Sequence, residues 1–180
     1  TRRRTAFAPT DPEFDFSRTA AKNRVGSPTA MSELTLTSPA FEDGEPIPEE
    51  YGYEARDVNP PLRLEGVPDG AESLVLLMDD PDAVEPAGKV WDHWTVYDLD
   101  PELREIPEAW DVEGTEGRND YGEVGYGGPN PPDGEHTYRF RVYALDRALN
   151  TAGVETKDAV EAAMDGHVLA WDTLTGTYAP

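Results

Sequence analysis

The stretch Gly125-Tyr126-Gly127-Gly128-Pro129-Asn130-Pro131-Pro132-Asp133-Gly134-Glu135-His136-Thr137-Tyr138-Arg139-Phe140 joins a turn-rich loop to a strand. From His136 the composition turns aromatic and β-branched, and period two sorts the residues onto faces. His136, Tyr138, Phe140, Val142 and Ala144 share one face; Thr137, Arg139, Arg141 and Tyr143 share the other. The first face is apolar except for an imidazole and a phenol about 7 Å apart at its start. That places two polar groups at one end of a core, as the mouth of a polar pocket requires. In the loop, Gly125, Gly127 and Gly128 permit positive φ and close backbone approach, while Pro131-Pro132 is rigid and a candidate for a cis bond. Its backbone N–H groups can face an anion. No Lys and no helix follow at the spacing of a P-loop, and a plain turn is the competing reading.

Upstream, Ser73 to Met78 is a nearly continuous apolar run, the mark of a strand covered on both faces. Pro81 stops it, leaving Asp79, Asp80 and Asp82 at or just past its end, where a strand-ending turn with side-chain caps is the competing reading. Trp91-Asp92-His93-Trp94 opens another strand, His93 to Leu99. A histidine beside Asp80, Asp82 or Asp92 is expected to keep its proton near neutral pH, and His93 is the first candidate. Leu34 and Leu36 alternate with Thr35 and Thr37 as a half-buried strand. Thr156 is placed to cap a helix presenting Val160, Ala163 and Met164, stopped by Gly166 before a last strand, His167 to Tyr178. His167 is read as structural. Loops are long at Glu42 to Pro61 and Gly114 to Gly134.

The 180 residues carry 37 Asp and Glu against 15 Lys and Arg, a net charge of −22. Such a surface repels nucleic-acid phosphates and anionic membranes, so an anion must be held by a local site against the global field. Of the basic residues only Lys22, Lys89 and Lys157 are lysine, a balance resembling proteins adapted to concentrated salt, where the Debye length contracts to about 3 Å at 1 M. The absence of Cys excludes disulfides, thiolate metal sites and thiol nucleophiles. Residues 1–30 differ in kind, being net positive through Arg2, Arg3, Arg4, Arg18, Lys22 and Arg24. They read as a disordered basic tail or an extension from an upstream start, and 31–180 as the folded domain. No apolar run follows the arginines, which argues against an export signal and for a cytoplasmic protein.

These motifs, in this order, resemble the phosphatidylethanolamine-binding protein family, also called Raf kinase inhibitor-like, and especially its bacterial and archaeal branch. The resemblance runs from Leu34 to Tyr178 through Ser38-Pro39-Ala40-Phe41, Asn59-Pro60-Pro61-Leu62, Gly66-Val67-Pro68, the Asp-Pro-Asp-Ala to His-Trp block, the Gly-Tyr-Gly-Gly-Pro to His-x-Tyr block, Tyr143-Ala144-Leu145 and Gly166-His167-Val168-Leu169-Ala170. It implies a mainly β fold, a two-sheet antiparallel sandwich with short peripheral helices and an anion pocket at one end. The family's pocket residues fall on Asp80, Trp91, His93, Pro132, His136 and Tyr138, with Asp82, Gly128 and Pro131 in support. Three positions depart from the family pattern: Val84 replaces a Pro, Leu64 a Trp and Asp98 an Asn. Asp98 would weaken anion binding if it faced the pocket.

The first reading of function is a non-catalytic binder of phosphate-bearing small molecules, headgroups or phosphorylated residues, with no cofactor and no metal. A protein-interaction regulator, resembling the family's kinase or protease inhibitors, is the alternative. A hydrolase built on His93, His136 and Asp80 ranks last, because no Gly-x-Ser-x-Gly or His-Glu-x-x-His motif is present. Nucleic acid and stable membrane insertion are not expected, and a homodimer is suggested by the resemblance alone.

Overall fold

The computed structural model describes residues 33–180; the expectations for residues 1–30 and for a start at Met31 lie outside the described residues. Among the described residues, eight strands and two α-helices follow in chain order: β1 (Thr35–Thr37), β2 (Leu62–Glu65), β3 (Ser73–Asp80), α1 (Val84–Ala87), β4 (Trp91–Leu99), β5 (Glu105–Ile106), β6 (Thr115–Glu116), β7 (His136–Leu145), α2 (Lys157–Met164) and β8 (Val168–Tyr178). They form two sheets, β1-β2-β5 and β6-β4-β3-β7-β8, with every pairing antiparallel. The mainly β, two-sheet architecture is the one expected.

Alternation explains the layers. On β3, Leu74, Leu76 and Met78 meet Phe140, Val142 and Ala144 of β7 and Leu36, Leu62, Leu64 and Ile106 of the small sheet in the main core. The odd residues Val75 and Leu77 instead join Tyr97, Tyr143, Val160 and Met164 in a second core under α2. Strand β3 is therefore buried along its whole length, as its unbroken apolar run requires. Thr156 Oγ1 caps α2 by accepting from the Ala159 N–H at 3.4 Å.

The same parity separates two adjacent carboxylates. Asp80 follows the inter-sheet residues of β3, whereas Asp79 lies on the α2 side, fully buried, and accepts hydrogen bonds from Arg139, Arg141 and Lys157. After burial opposes it, the Arg141 guanidinium and its neighbours hold Asp79 below the usual carboxylate range. Arg139 and Arg141 are thus structural partners of Asp79 across the sheet.

Strand β4 breaks the parity once. Met78 pairs with Trp94, but Asp79 pairs with Asp92, so His93 is an extra residue in a β-bulge. Trp94 and Val96 pack between the sheets. The bulge lets His93 join that side, while Asp92 turns to the other and accepts from Thr95 Oγ1 at 3.1 Å.

Candidate functional site

Asp80, Trp91, His93, Pro132, His136 and Tyr138 line one cavity of about 170 Å³ at the end of the inter-sheet core, together with Ala83, Pro86, Ala87, Tyr121 and Asn130. Every residue proposed from sequence as ligand-binding therefore converges. The supporting residues act from outside the lining. Asp80 ends β3 and caps the following turn, its Oδ1 accepting from the N–H groups of Asp82 at 2.9 Å and Ala83 at 3.2 Å. Asp82 Oδ2 accepts from the Thr137 N–H at 2.8 Å, fastening that turn to the start of β7. Pro131 is buried behind the exposed Pro132.

His136 is held between two carboxylates. Its Nδ1 lies 2.7 Å from Asp80 Oδ2 and its Nε2 lies 2.8 Å from Asp133 Oδ1. Burial pulls this imidazole down, but the hydrogen bonds to Asp80 and Asp133 outweigh it and raise its pKa above the ordinary value. His93 behaves oppositely. It is 2% exposed, and burial lowers its pKa despite the Gly127 carbonyl and the Asp80 charge. The expectation that His93 would be the proton-holding histidine is corrected: the bulge draws its ring into the interior, and His136 takes the carboxylates.

Two further donors stand ready. Trp91 Nε1 and Tyr138 Oη are buried with no partner at hydrogen-bond distance and angle, although Asp80 and Asn130 lie near the phenol. Such groups carry a desolvation penalty on the order of 1 to 3 kcal/mol, which a ligand acceptor can relieve. Burial, then Asp80 and Tyr121, push the Tyr138 phenol far above its usual range, so it keeps its proton and donates.

The glycine-rich loop closes the cavity by close approach more than by unusual backbone. Gly125 has φ of 107°. At Gly128 a Cβ would collide with the Tyr51 carbonyl and the Tyr53 backbone nitrogen. The Gly128 N–H donates to Asp57 Oδ1 at 2.8 Å, and its carbonyl accepts from Tyr121 Oη at 3.0 Å. All described peptide bonds are trans, so the candidate cis bond at Pro131-Pro132 is not adopted.

A family model for phosphatidylethanolamine-binding protein matches residues 37–179. The chain belongs to that family. Among relatives of the phosphatidylethanolamine-binding proteins, a UPF0098 protein of Pyrococcus abyssi is 42% identical over 156 residues, 81% of this chain and 85% of the relative. A crystal structure of a phosphatidylethanolamine-binding protein homolog from Chlamydia trachomatis is 42% identical and superposes with a TM-score of 0.77, covering 82% of this chain and 97% of that one. YbcL of E. coli, described as a member of the mammalian family, is 29% identical with a TM-score of 0.73, over 81% of this chain and 98% of YbcL. No described helix is long and apolar enough to cross a membrane.

The three departures from the family pattern leave the cavity lining intact. Val84 is half-exposed and opens α1, which Gly88 ends at φ of 79°. Leu64 is a core residue of β2. Asp98 accepts from the backbone N–H groups of Leu149 at 2.6 Å and Asn150 at 3.0 Å, so its charge caps a distant turn. His167 pairs with Asp146 at 2.8 Å near the surface. Sequence reasoning missed Tyr121, Asn130 and the role of Asp133. The spacing of Asp133, three residues before His136 across a Gly, was the one available signal.

Proposed function

We propose that this protein is a non-catalytic binder of small phosphate-bearing anions. The observation that carries this reading is the pair of unpartnered buried donors, Trp91 Nε1 and Tyr138 Oη, lining one cavity with the carboxylate-held His136. Two neutral donors suit the oxygens of a tetrahedral oxyanion, and His136, held between Asp80 and Asp133, borders them without adding a free positive charge. The lining contains no Ser, Thr, Lys or Arg. It therefore offers no Ser or Thr hydroxyl beside a base, and binding needs none.

The test is an NMR titration of the His93 and His136 imidazole resonances in concentrated KCl against phosphate and phosphoethanolamine. Saturable shifts of both are expected. Tyr138→Phe is expected to weaken phosphate binding by about 1 to 3 kcal/mol, roughly 5- to 150-fold, with the fold retained. Unshifted imidazoles, or undiminished affinity in Tyr138→Phe, would remove the anion-pocket reading. A regulated protein partner would then become the leading function to pursue.

A further inference from the structure

We infer that the pocket selects an oxyanion carrying its own proton, a phosphomonoester monoanion, because the buried His93 presents an acceptor to the cavity. The inference rests on the anion-pocket reading and narrows its ligand class.

The tautomer of His93 follows from geometry. Its Nδ1 is 2.7 Å from the Gly127 carbonyl oxygen, which can only accept, so Nδ1 bears the proton. The contact is reciprocated, the Gly127 N–H donating to the His93 carbonyl at 2.9 Å, so this loop residue grips β4 at two points. Tyr121 and Tyr138 wedge the ring edge-on, with centroids 5.7 and 5.2 Å away. A flip that put Nδ1 on the ligand would forfeit the carbonyl contact inside a packed site. Burial favours the neutral imidazole, whose single proton is then spent on Gly127. Nε2 is left as a lone pair for the cavity that His93 lines.

The rest of the lining points the same way. It includes no Lys or Arg, and its one candidate cation, His136, is already neutralised by Asp80 and Asp133. Trp91 Nε1 and Tyr138 Oη can each donate to a ligand oxygen. The complement to this set is a group with at least two acceptor oxygens, one acidic O–H and a single negative charge. A phosphomonoester at mildly acid to neutral pH has all three, its second pKa being about 6. A sulfate ester has the charge and shape but no proton, and would set an anionic oxygen against the Nε2 lone pair. A phosphodiester has the same deficiency.

Methyl phosphate and methyl sulfate isolate the proton, because at pH about 5.5 both are chiefly monoanions of nearly one size. Calorimetric titration of the full chain in concentrated KCl is expected to give methyl phosphate a dissociation constant about 10- to 100-fold lower than methyl sulfate, the cost of an unmade bond beside a charge. Dimethyl phosphate, standing for an intact lipid's phosphodiester, is expected to bind as weakly as methyl sulfate. In His93→Gln, whose amide can turn its NH2 into the cavity, the preference is expected to fall toward parity. A long-range proton–nitrogen spectrum reads the tautomer without any ligand and is expected to place the His93 proton on Nδ1. Methyl sulfate binding as tightly as methyl phosphate, or a proton on Nε2, would overturn the inference and leave the anion pocket standing. Binding of none of the three probes would overturn both.

Discussion

Asp133 occupies Nε2 of His136, the nitrogen that an incoming anion would otherwise take. Its side chain is 53% exposed, so it is the member of the Asp80–His136–Asp133 chain free to move aside. Replacing it should therefore unmask a donor without disturbing the core. Asp133→Ala is expected to lower the His136 pKa and to strengthen phosphate binding at pH about 6 by about two- to fivefold, the scale of a solvent-exposed ion pair. Calorimetry combined with an imidazole titration checks both; unchanged or weaker affinity would show that the Asp133 carboxylate does not compete. Gly128 illustrates a different residue-level constraint, since its missing side chain is what lets the loop lie on Tyr51. Gly128→Ala is expected to cost about 1 to 3 kcal/mol in urea unfolding through overpacking, and to shift the resonances of the neighbouring His93. A variant as stable as the parent would mean that the loop can lift without cost.

Strand β4 shows how one extra residue divides two kinds of chemistry. The bulge at His93 sends the imidazole to the cavity and Asp92 to the opposite side, near Asp79 and Lys157. There burial, the largest influence, raises the Asp92 carboxyl to about 7; Asp120 and Asp79 add to the rise, while Lys157 and the Thr95 hydroxyl oppose it. In the unfolded chain this carboxyl ionises near 3.9. The stability it contributes is complete below that value and is lost as pH climbs through about 7, because the folded state then carries a poorly solvated charge. Asp92→Asn removes the titration. Urea unfolding is expected to find the variant more stable than the parent at pH about 8, by on the order of 2 kcal/mol, with the gap closing toward pH 4. Parallel pH profiles would show that Asp92 is ionised throughout. Strand β7 was legible from its period of two, β3 from its unbroken apolar run, α2 from its cap and apolar face, and β8 as the run that follows the helix stop, boundaries included to within a few residues. Helix α1 and the two-residue strands β5 and β6 were not, because so few residues hold no period.

Across the whole molecule the net charge of −22 sets the response to salt. Raising KCl from about 0.1 to 1 M shortens the Debye length from about 10 to about 3 Å and relieves repulsion among surface carboxylates. The melting temperature is expected to rise by several degrees over that range in differential scanning calorimetry, while the buried Asp79 pairs with Arg139 and Arg141 change little. A flat or falling curve would show that the acidic composition is not an adaptation to salt. By itself the sequence determined the four long strands β3, β4, β7 and β8 and the capped helix, because alternation, apolar runs and local turn chemistry act between near neighbours in the chain, while the six residues that meet at one cavity were legible through the order of motifs that resembles the family. The tertiary structure decided which histidine holds a proton, which nitrogen of His93 is spent on Gly127, and that Asp133 closes on His136. The first two depend on burial and on contacts across a bulge and a long loop, which no short window of residues encodes, and the third, though only three residues apart in the chain, depends on how the turn at Gly134 brings the two side chains together.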